Sequence, residues 1–275
     1  MEYRYVSLSN EPFSIELPPA TGTESYFISA PAKAGSVLLF NVVHELASVA
    51  GRSVIDVLDQ AFSQGVVSRD LPLEALSLFE RPGHIFTGLR DARFLFWIRA
   101  YRKHRKILLV RDPRDMAVSL YYSVRHSHPA PQSGLAADQL NRTRAVASTL
   151  SIEEFLNERW ADGLFETMRL FATHVRCFPN FRVFRYEDII FDKEAFVAAL
   201  AAELQIKVPN STVVDIANRH DVWPTAERPN EHIRQVSPGN YKAHLSIVAC
   251  KRLELLFGDV FEAFGYPKSC AKSCC

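Results

Sequence analysis

Three clusters in this chain have residue types and spacing suited to holding anions. The first is Ala30-Pro-Ala-Lys-Ala-Gly-Ser36. Gly35 allows close approach of the backbone, Ser36 is placed to cap a following helix and donate a hydrogen bond, and Lys33 adds a mobile charge. Where such a loop opens a helix, backbone N–H groups and the positive end of the helix dipole hold phosphate. The second is Arg111-Asp-Pro-Arg-Asp-Met-Ala-Val-Ser119. Arg111 offers a planar fork of donors, Asp112 caps a helix whose first turn holds Pro113, and Ser119 lies two turns along. Arg111 and Ser119 can clamp a second phosphate, or Arg111 can simply pair with Asp115. The third is Arg234-Gln-Val-Ser-Pro-Gly-Asn-Tyr-Lys242, a cation at each end of a turn-forming run. The first loop is not a Walker A loop, in which lysine follows the second glycine; here Lys33 precedes Gly35 by two residues.

The elements that must position these clusters alternate between strand and helix patterns. Strands are expected at Ser25–Ala30, His84–Leu89, Lys106–Val110 and Phe181–Tyr186. Helices are expected at Ser36–Val49, Pro113–Val124, Lys193–Leu204 and Ser246–Phe264. This predicts an α/β fold: a single domain with a central, mostly parallel sheet, helices on both faces and a P-loop-like loop after the first strand. The domain is expected to span 25–267, with an N-terminal extension over 1–24 and a tail over 268–275. His126–Thr149 and Thr225–Asn240 read as two long loops, candidates for a lid or a binding loop.

The chain has 275 residues and a formal net charge of +1, so no global field draws it to nucleic acid or an anionic membrane. Any anion must be held by local cations. No apolar run is long enough to span a bilayer and the first ten residues lack a signal-peptide core, which points to a cytoplasmic protein. Of five cysteines, Cys177 and Cys250 fall in apolar-periodic segments and are expected to be buried. Cys270, Cys274 and Cys275 read as part of a frayed tail.

The three clusters resemble motifs of the PAPS-dependent sulfotransferases, the cytosolic-type and bacterial sulfotransferase domain. Lys33, Ala34, Gly35 and Ser36 are similar to the phosphosulfate loop P-K-[SA]-G-[ST], with Ala32 inserted after Pro31. Arg111, Pro113, Asp115, Val118, Ser119 and Tyr121 match every fixed position of the 3′-phosphate motif R-[ND]-P-x-D-x-x-V-S-x-Y. The Arg234 segment is similar to R-K-G-x-x-G-D-W-K, with Gln235 and Val236 replacing Lys-Gly and Asn240-Tyr241 replacing Asp-Trp. Arg185-Tyr-Glu-Asp188 resembles the F-x-Y-E-D segment, in which the tyrosine borders adenine. The four matches run in family order from Ala30 to Ser246.

The resemblance implies transfer of a sulfonate from 3′-phosphoadenosine-5′-phosphosulfate (PAPS) to a hydroxyl or amine, leaving adenosine 3′,5′-bisphosphate (PAP), with no metal required. It implies that Lys33 meets charge developing toward the departing phosphate. Donor-binding candidates are Lys33, Ala34, Gly35, Ser36, Val37, Arg111, Ser119, Tyr186, Arg234, Gln235 and Val236. The family's K-T-H-L-P segment is replaced by Ile85-Phe-Thr-Gly-Leu-Arg-Asp91, so Gly88 stands where a catalytic histidine is expected. Carbohydrate and protein sulfotransferases use a carboxylate instead, which makes Asp91 a candidate base with Arg90 beside it; His44 and Glu45 are alternatives. His126 and His128 lie in the expected lid. Phe94, Phe96 and Trp97 either line an acceptor pocket or pack in the core. Arg125, Arg142 and Arg144 hint at a polar acceptor, a carbohydrate or small metabolite. Two other classes remain open at this level: a nucleotide-binding module without catalysis, and a P-loop kinase-like phosphotransferase.

Overall fold

The structure is a computed structural model that describes residues 1–127, 135–223 and 236–268. Arg234, Gln235, His128 and the three C-terminal cysteines lie outside the described residues. Its centre is a five-stranded parallel sheet. The strands are β3 (Tyr26–Ser29), β4 (Val54–Ile55), β5 (Ile85–Leu89), β6 (Arg105–Val110) and β7 (Phe181–Arg185), in the order β4-β5-β3-β6-β7. Every residue of β3 and β5 is buried, as is all of β6 after Arg105. That is what a parallel sheet covered on both faces requires. Two apolar clusters form its two sides, one around Phe27, Phe86 and Leu108, the other around Tyr26, Ile28 and Leu109.

Helix α1 (Ser36–Val49) follows β3, and α2 (Val57–Ser63) follows β4. In a parallel sheet the loops at the carboxyl ends of the strands open onto one edge, where ligands bind. The Lys33 loop leaves β3 there, Arg111 leaves β6 there, and Tyr186 follows β7 there. Strand β1 (Glu2–Val6) pairs antiparallel with β2 (Pro12–Glu16). Phe13, Ile15 and Leu17 bury their side chains in the first cluster. Gln60 and Gln64 of α2 meet the open edge of β2, exchanging hydrogen bonds with the backbone of Glu16 and Ser14. The hairpin thereby anchors the helix whose first turn faces the site.

Several boundaries differ from the sequence expectation. The stretch expected as a loop over His126–Thr149 contains a helix at Leu135–Thr149. Its apolar positions are sparse and mostly alanine, with Ala137 and Ala147 buried, so the helical period is faint against a polar background. The helix expected over Pro113–Val124 ends at Tyr122 and widens into a π-helical turn at Ser123–Ser127. Tyr186 opens a short helix, Tyr186–Ile189, instead of closing β7. The helix expected over Ser246–Phe264 is split at Phe257 into Ile247–Leu256 and Gly258–Ala263. Cys250 is buried but Cys177, at the end of the helix Asp162–Cys177, is exposed, which corrects its expected burial. Among the described residues no helix is long and apolar enough to cross a membrane.

Candidate active site

The Lys33 loop is tight. Gly35 has φ +96°, and a Cβ there would lie 2.8 Å from the Tyr186 ring and 3.3 Å from Leu109, so only glycine lets the tyrosine that follows β7 pack this close. Lys33 itself holds a left-handed φ of 69°, a conformation that costs energy outside glycine and is found where surrounding structure imposes it. Gly35 is the N-cap of α1, and Ser36 is its first helical residue. The expected cap by the Ser36 side chain is therefore absent, and the first N–H groups of α1 have no side-chain cap. The Lys33 ammonium donates to Ser123 Oγ at 2.5 Å. Burial, helped by the nearby Arg90 charge, lowers the Lys33 pKa to about 8.

Across from this loop, β6 delivers Arg111, a buried guanidinium lying 4.4 Å over the Tyr186 ring. The simple Arg111–Asp115 pair weighed at the sequence level is long, 3.9 Å. The Asp115 carboxylate is used instead by the backbone N–H groups of Gly239 and Tyr241, at 2.7 and 2.8 Å. Asp115 thus fixes the described end of the third cluster. The Nε of Arg111 is buried with no hydrogen-bond partner among the described residues. A buried guanidinium N–H left unpaired is costly unless a ligand completes it. Asp112 caps its helix as expected, accepting from Arg114 N at 2.9 Å. Glu187 accepts from Asp112 N at 2.8 Å and from the Tyr266 hydroxyl at 3.0 Å, locking the turn that aims Arg111. Tyr186 donates to Val236 O at 2.9 Å.

These parts border an open cavity of about 240 Å³ lined by Lys33, Gly35, Ser36, Val37, Arg111, Ser119, Tyr186 and Val236, among others. All eight were candidates from sequence; Ala34 is fully buried behind the loop. Lys193 and Val222 also line it and were missed. Lys193 donates to Asp221 at 2.6 Å and lies 4.5 Å over the Trp223 ring. Its only sequence signal was a cation opening an alanine-rich helix.

A second cavity of about 570 Å³ lies on the other side of Lys33, sharing Lys33, Ser36 and Val37 with the first. Its far wall includes Leu58, Asp59, Phe62, Gly88, Arg90, Asp91 and Arg93. Arg90 forms a short ion pair with Asp59 and lies 4.9 Å over the Phe40 ring. Burial alone would raise the Asp91 carboxyl, but hydrogen bonds from Arg93 and from Ser68 Oγ outweigh it and hold it below the usual range. Asp56 was not singled out by sequence. Its carboxylate fills the space beside Gly88, where an added Cβ would lie 1.9 Å from Oδ1. Burial and the adjacent Asp59 charge raise its pKa to about 7.

Residues 99–242 match the sulfotransferase domain family. The chain belongs to that family. The sulfotransferase fold is shared with mouse sulfotransferase SULT7A1, solved in complex with PAP: 17% identity, TM-score 0.59, covering 88% of this chain and 86% of that one. It is also shared with retinol dehydratase, solved with androsterone and PAP: 17% identity, TM-score 0.50, covering 86% of this chain and 80% of that one. No curated protein matches this sulfotransferase.

Other candidates sit elsewhere in the sulfotransferase. His44 is exposed, with Nε2 3.5 Å from the Thr87 hydroxyl, and Glu45 is engaged by Arg219 and His220. Phe94 packs in the core against Phe79, while Phe96 and Trp97 are exposed; none of the three lines either cavity. Arg125 donates to the Tyr121 hydroxyl and Arg144 to Val124 O, also away from both cavities.

Proposed function

We infer that this sulfotransferase takes its sulfonate group from PAPS, passes it to a hydroxyl or amine of a small acceptor, and releases PAP. The observation that carries the reading is the Arg111 guanidinium, buried with its Nε unpaired among the described residues, facing the Lys33 loop across one cavity. That arrangement suits a ligand with two separated anionic groups, and a bisphosphorylated nucleoside has them.

In this reading the N–H groups at the start of α1, with Lys33, Ala34, Gly35, Ser36 and Val37, hold the 5′-phosphosulfate end. Arg111, Ser119 and Val236 hold the 3′-phosphate, and by the family resemblance Arg234 and Gln235 join them. Tyr186, wedged between Gly35 and Arg111, borders the base. PAPS supplies an activated sulfonate whose leaving group is a phosphate. Lys33 stabilises the charge that grows on that phosphate's bridging oxygen, a contribution of about 3–4 kcal/mol for a well-aimed donor. Its hydrogen bond to Ser123 keeps the ammonium positioned at the junction of the two cavities. Arg90, bound to Asp59, and Asp91, bound to Arg93, shape the acceptor side.

The second cavity is the acceptor site in this reading. Its lining mixes Leu58, Phe62 and Val67 with arginines already paired to carboxylates, which favours a small molecule with an apolar body over a sugar chain. Androsterone in retinol dehydratase is a molecule of that kind. The domain is taken to span 25–267, in a cytoplasmic protein. The test is transfer of radiolabelled sulfur from PAPS to a panel of phenols, sterols, primary alcohols and sugars. Labelled product with any of them supports the reading. Magnesium-dependent ATP hydrolysis without sulfonate transfer would replace it with a phosphotransferase.

A further inference from the structure

Two carboxylates, Asp59 and Asp91, line the second cavity, and a third, Asp56, stands directly beside Gly88, a residue of its wall that carries no side chain. Asp59 is paired with Arg90 and Asp91 with Arg93. Asp56 has no ion-pair partner among the described residues. Its Oδ1 accepts the backbone N–H of Asp59 at 2.9 Å, capping α2, and its side-chain hydrogen-bond neighbour is the Asp59 carboxyl, an acid and not a cation. It follows directly on β4, beside the Gly88 end of β5. Gly88 has φ +73°, and a side chain there would collide with both Oδ1 and Cγ of Asp56, at 1.9 and 2.5 Å. The glycine therefore leaves room in the cavity wall for the Asp56 carboxylate. The Arg90 charge acts on both Lys33 and Asp56, so one cation links the two groups across the cavity.

We propose that Asp56 is the group that accepts the proton lost by the acceptor's hydroxyl or amine during transfer, with Asp59 and Arg90 holding it in place. The proposal rests on the reading of this chain as a PAPS-dependent transferase. A bond forms from the acceptor atom to sulfur as the bond from sulfur to the phosphate's bridging oxygen breaks. That bond's electron pair leaves with the phosphate, beside Lys33, and the acceptor's proton passes to Asp56. A general base must be ionised at working pH yet hold a proton well once it arrives. Asp56 meets this condition, raised to about 7 by burial and by Asp59. Asp59 is matched by Arg90, and Asp91 is held low by Arg93 and Ser68. The groups facing Asp56 are Asp59 on α2 and Arg90 after β5; His44 of α1 reaches only Thr87, whose hydroxyl in turn meets Ile55 O.

The experiment compares wild type, Asp56→Asn and Gly88→Ala for PAP affinity and for turnover of PAPS with 4-nitrophenol, 2-naphthol, a primary alcohol and water as acceptors. Asparagine keeps the cap of α2, so folding is preserved. The expected result is PAP affinity within twofold of wild type and turnover lowered by about 10²–10⁴-fold. The loss should be graded: smallest with 4-nitrophenol, which ionises readily without a base, and largest with the alcohol. A purely structural lesion would lower all acceptors alike. Gly88→Ala, which displaces the carboxylate without removing it, should show the same grading. The acid limb of the wild-type kcat profile, with an apparent pKa near 7, should vanish in Asp56→Asn. Unchanged turnover, or an equal loss with every acceptor, overturns the proposal while leaving the donor reading intact. Failure of wild type to bind PAP, or to release it from PAPS with any acceptor including water, overturns the parent reading and this proposal together.

Discussion

The two cavities that meet at Lys33 differ in how they are built. The donor side is assembled from residues that lie next to each other in sequence, each set at the end of one strand: 33–37 after β3, 111–119 after β6, and Tyr186 after β7. The cavity proposed for the acceptor is assembled from residues that meet only in three dimensions, with Asp56 and Asp59 from the start of α2 standing against Gly88 and Arg90 at the end of β5. A fixed anion calls for a fixed local loop. A proton acceptor calls for a carboxylate that is buried and poorly compensated, which any neighbouring strand can supply.

The largest effect that sharpens this contrast is at the junction. Lys33→Ala should lower kcat by about 10²–10³-fold, the cost of one transition-state donor, while PAP affinity falls much less. A single-turnover assay beside a PAP titration separates the two. Arg111→Ala should break the proposed donor side alone, weakening PAP by about 30–150-fold, since a buried charge-assisted contact is worth about 2–3 kcal/mol. Asp115→Ala removes both acceptors that anchor Gly239 and Tyr241 without touching ligand, and should weaken PAP by about tenfold while kcat at saturation is retained.

The pH dependence tests both sides at once. Asp56 must be ionised and Lys33 protonated, so kcat/KM should rise through about 7 and fall again above about 8, a narrow bell. Asp56→Asn should remove the acid limb only. The smallest effect is on stability. Folding raises Asp56 from 3.8 to about 7, so its ionised form costs stability that grows as pH rises from about 4 to about 7. Asp56→Asn should therefore raise Tm by roughly 3–6 °C at pH 8 and by nothing near pH 3, a difference scanning calorimetry resolves.

The same contrast explains what was legible in sequence. The parallel sheet was readable because β3, β5 and β6 are short apolar runs between turn signals, and α1 was bounded by Ser36 and Val49 as expected. The residues proposed to hold the donor were readable as a pattern because Lys33-Ala-Gly-Ser36 and Arg111 to Tyr121 are contiguous. Glu187 was quoted with its motif, but its grip on Asp112 depends on β6 and β7 being neighbours, which no spacing reveals. Asp56 was hidden for the same reason: in sequence it is an ordinary helix cap, and only the pairing of β4 with β5 sets it against Gly88. Asp91 stood out by position beside Arg90; its tie to Arg93 is local, while its tie to Ser68 depends on a fold contact across 23 residues. The helix Leu135–Thr149 was lost because alanines mark its buried face too weakly.

The central claim is that Arg111 and the Lys33 loop form one site for a nucleoside carrying phosphates at both its 3′ and 5′ positions. Isothermal titration of the whole protein with PAP, beside ADP and beside ATP with magnesium, tests it most directly. The account predicts a clear preference for PAP, lost in Arg111→Ala and weakened in Lys33→Ala. Equal affinity for ADP, or tighter binding of ATP with magnesium, would contradict it.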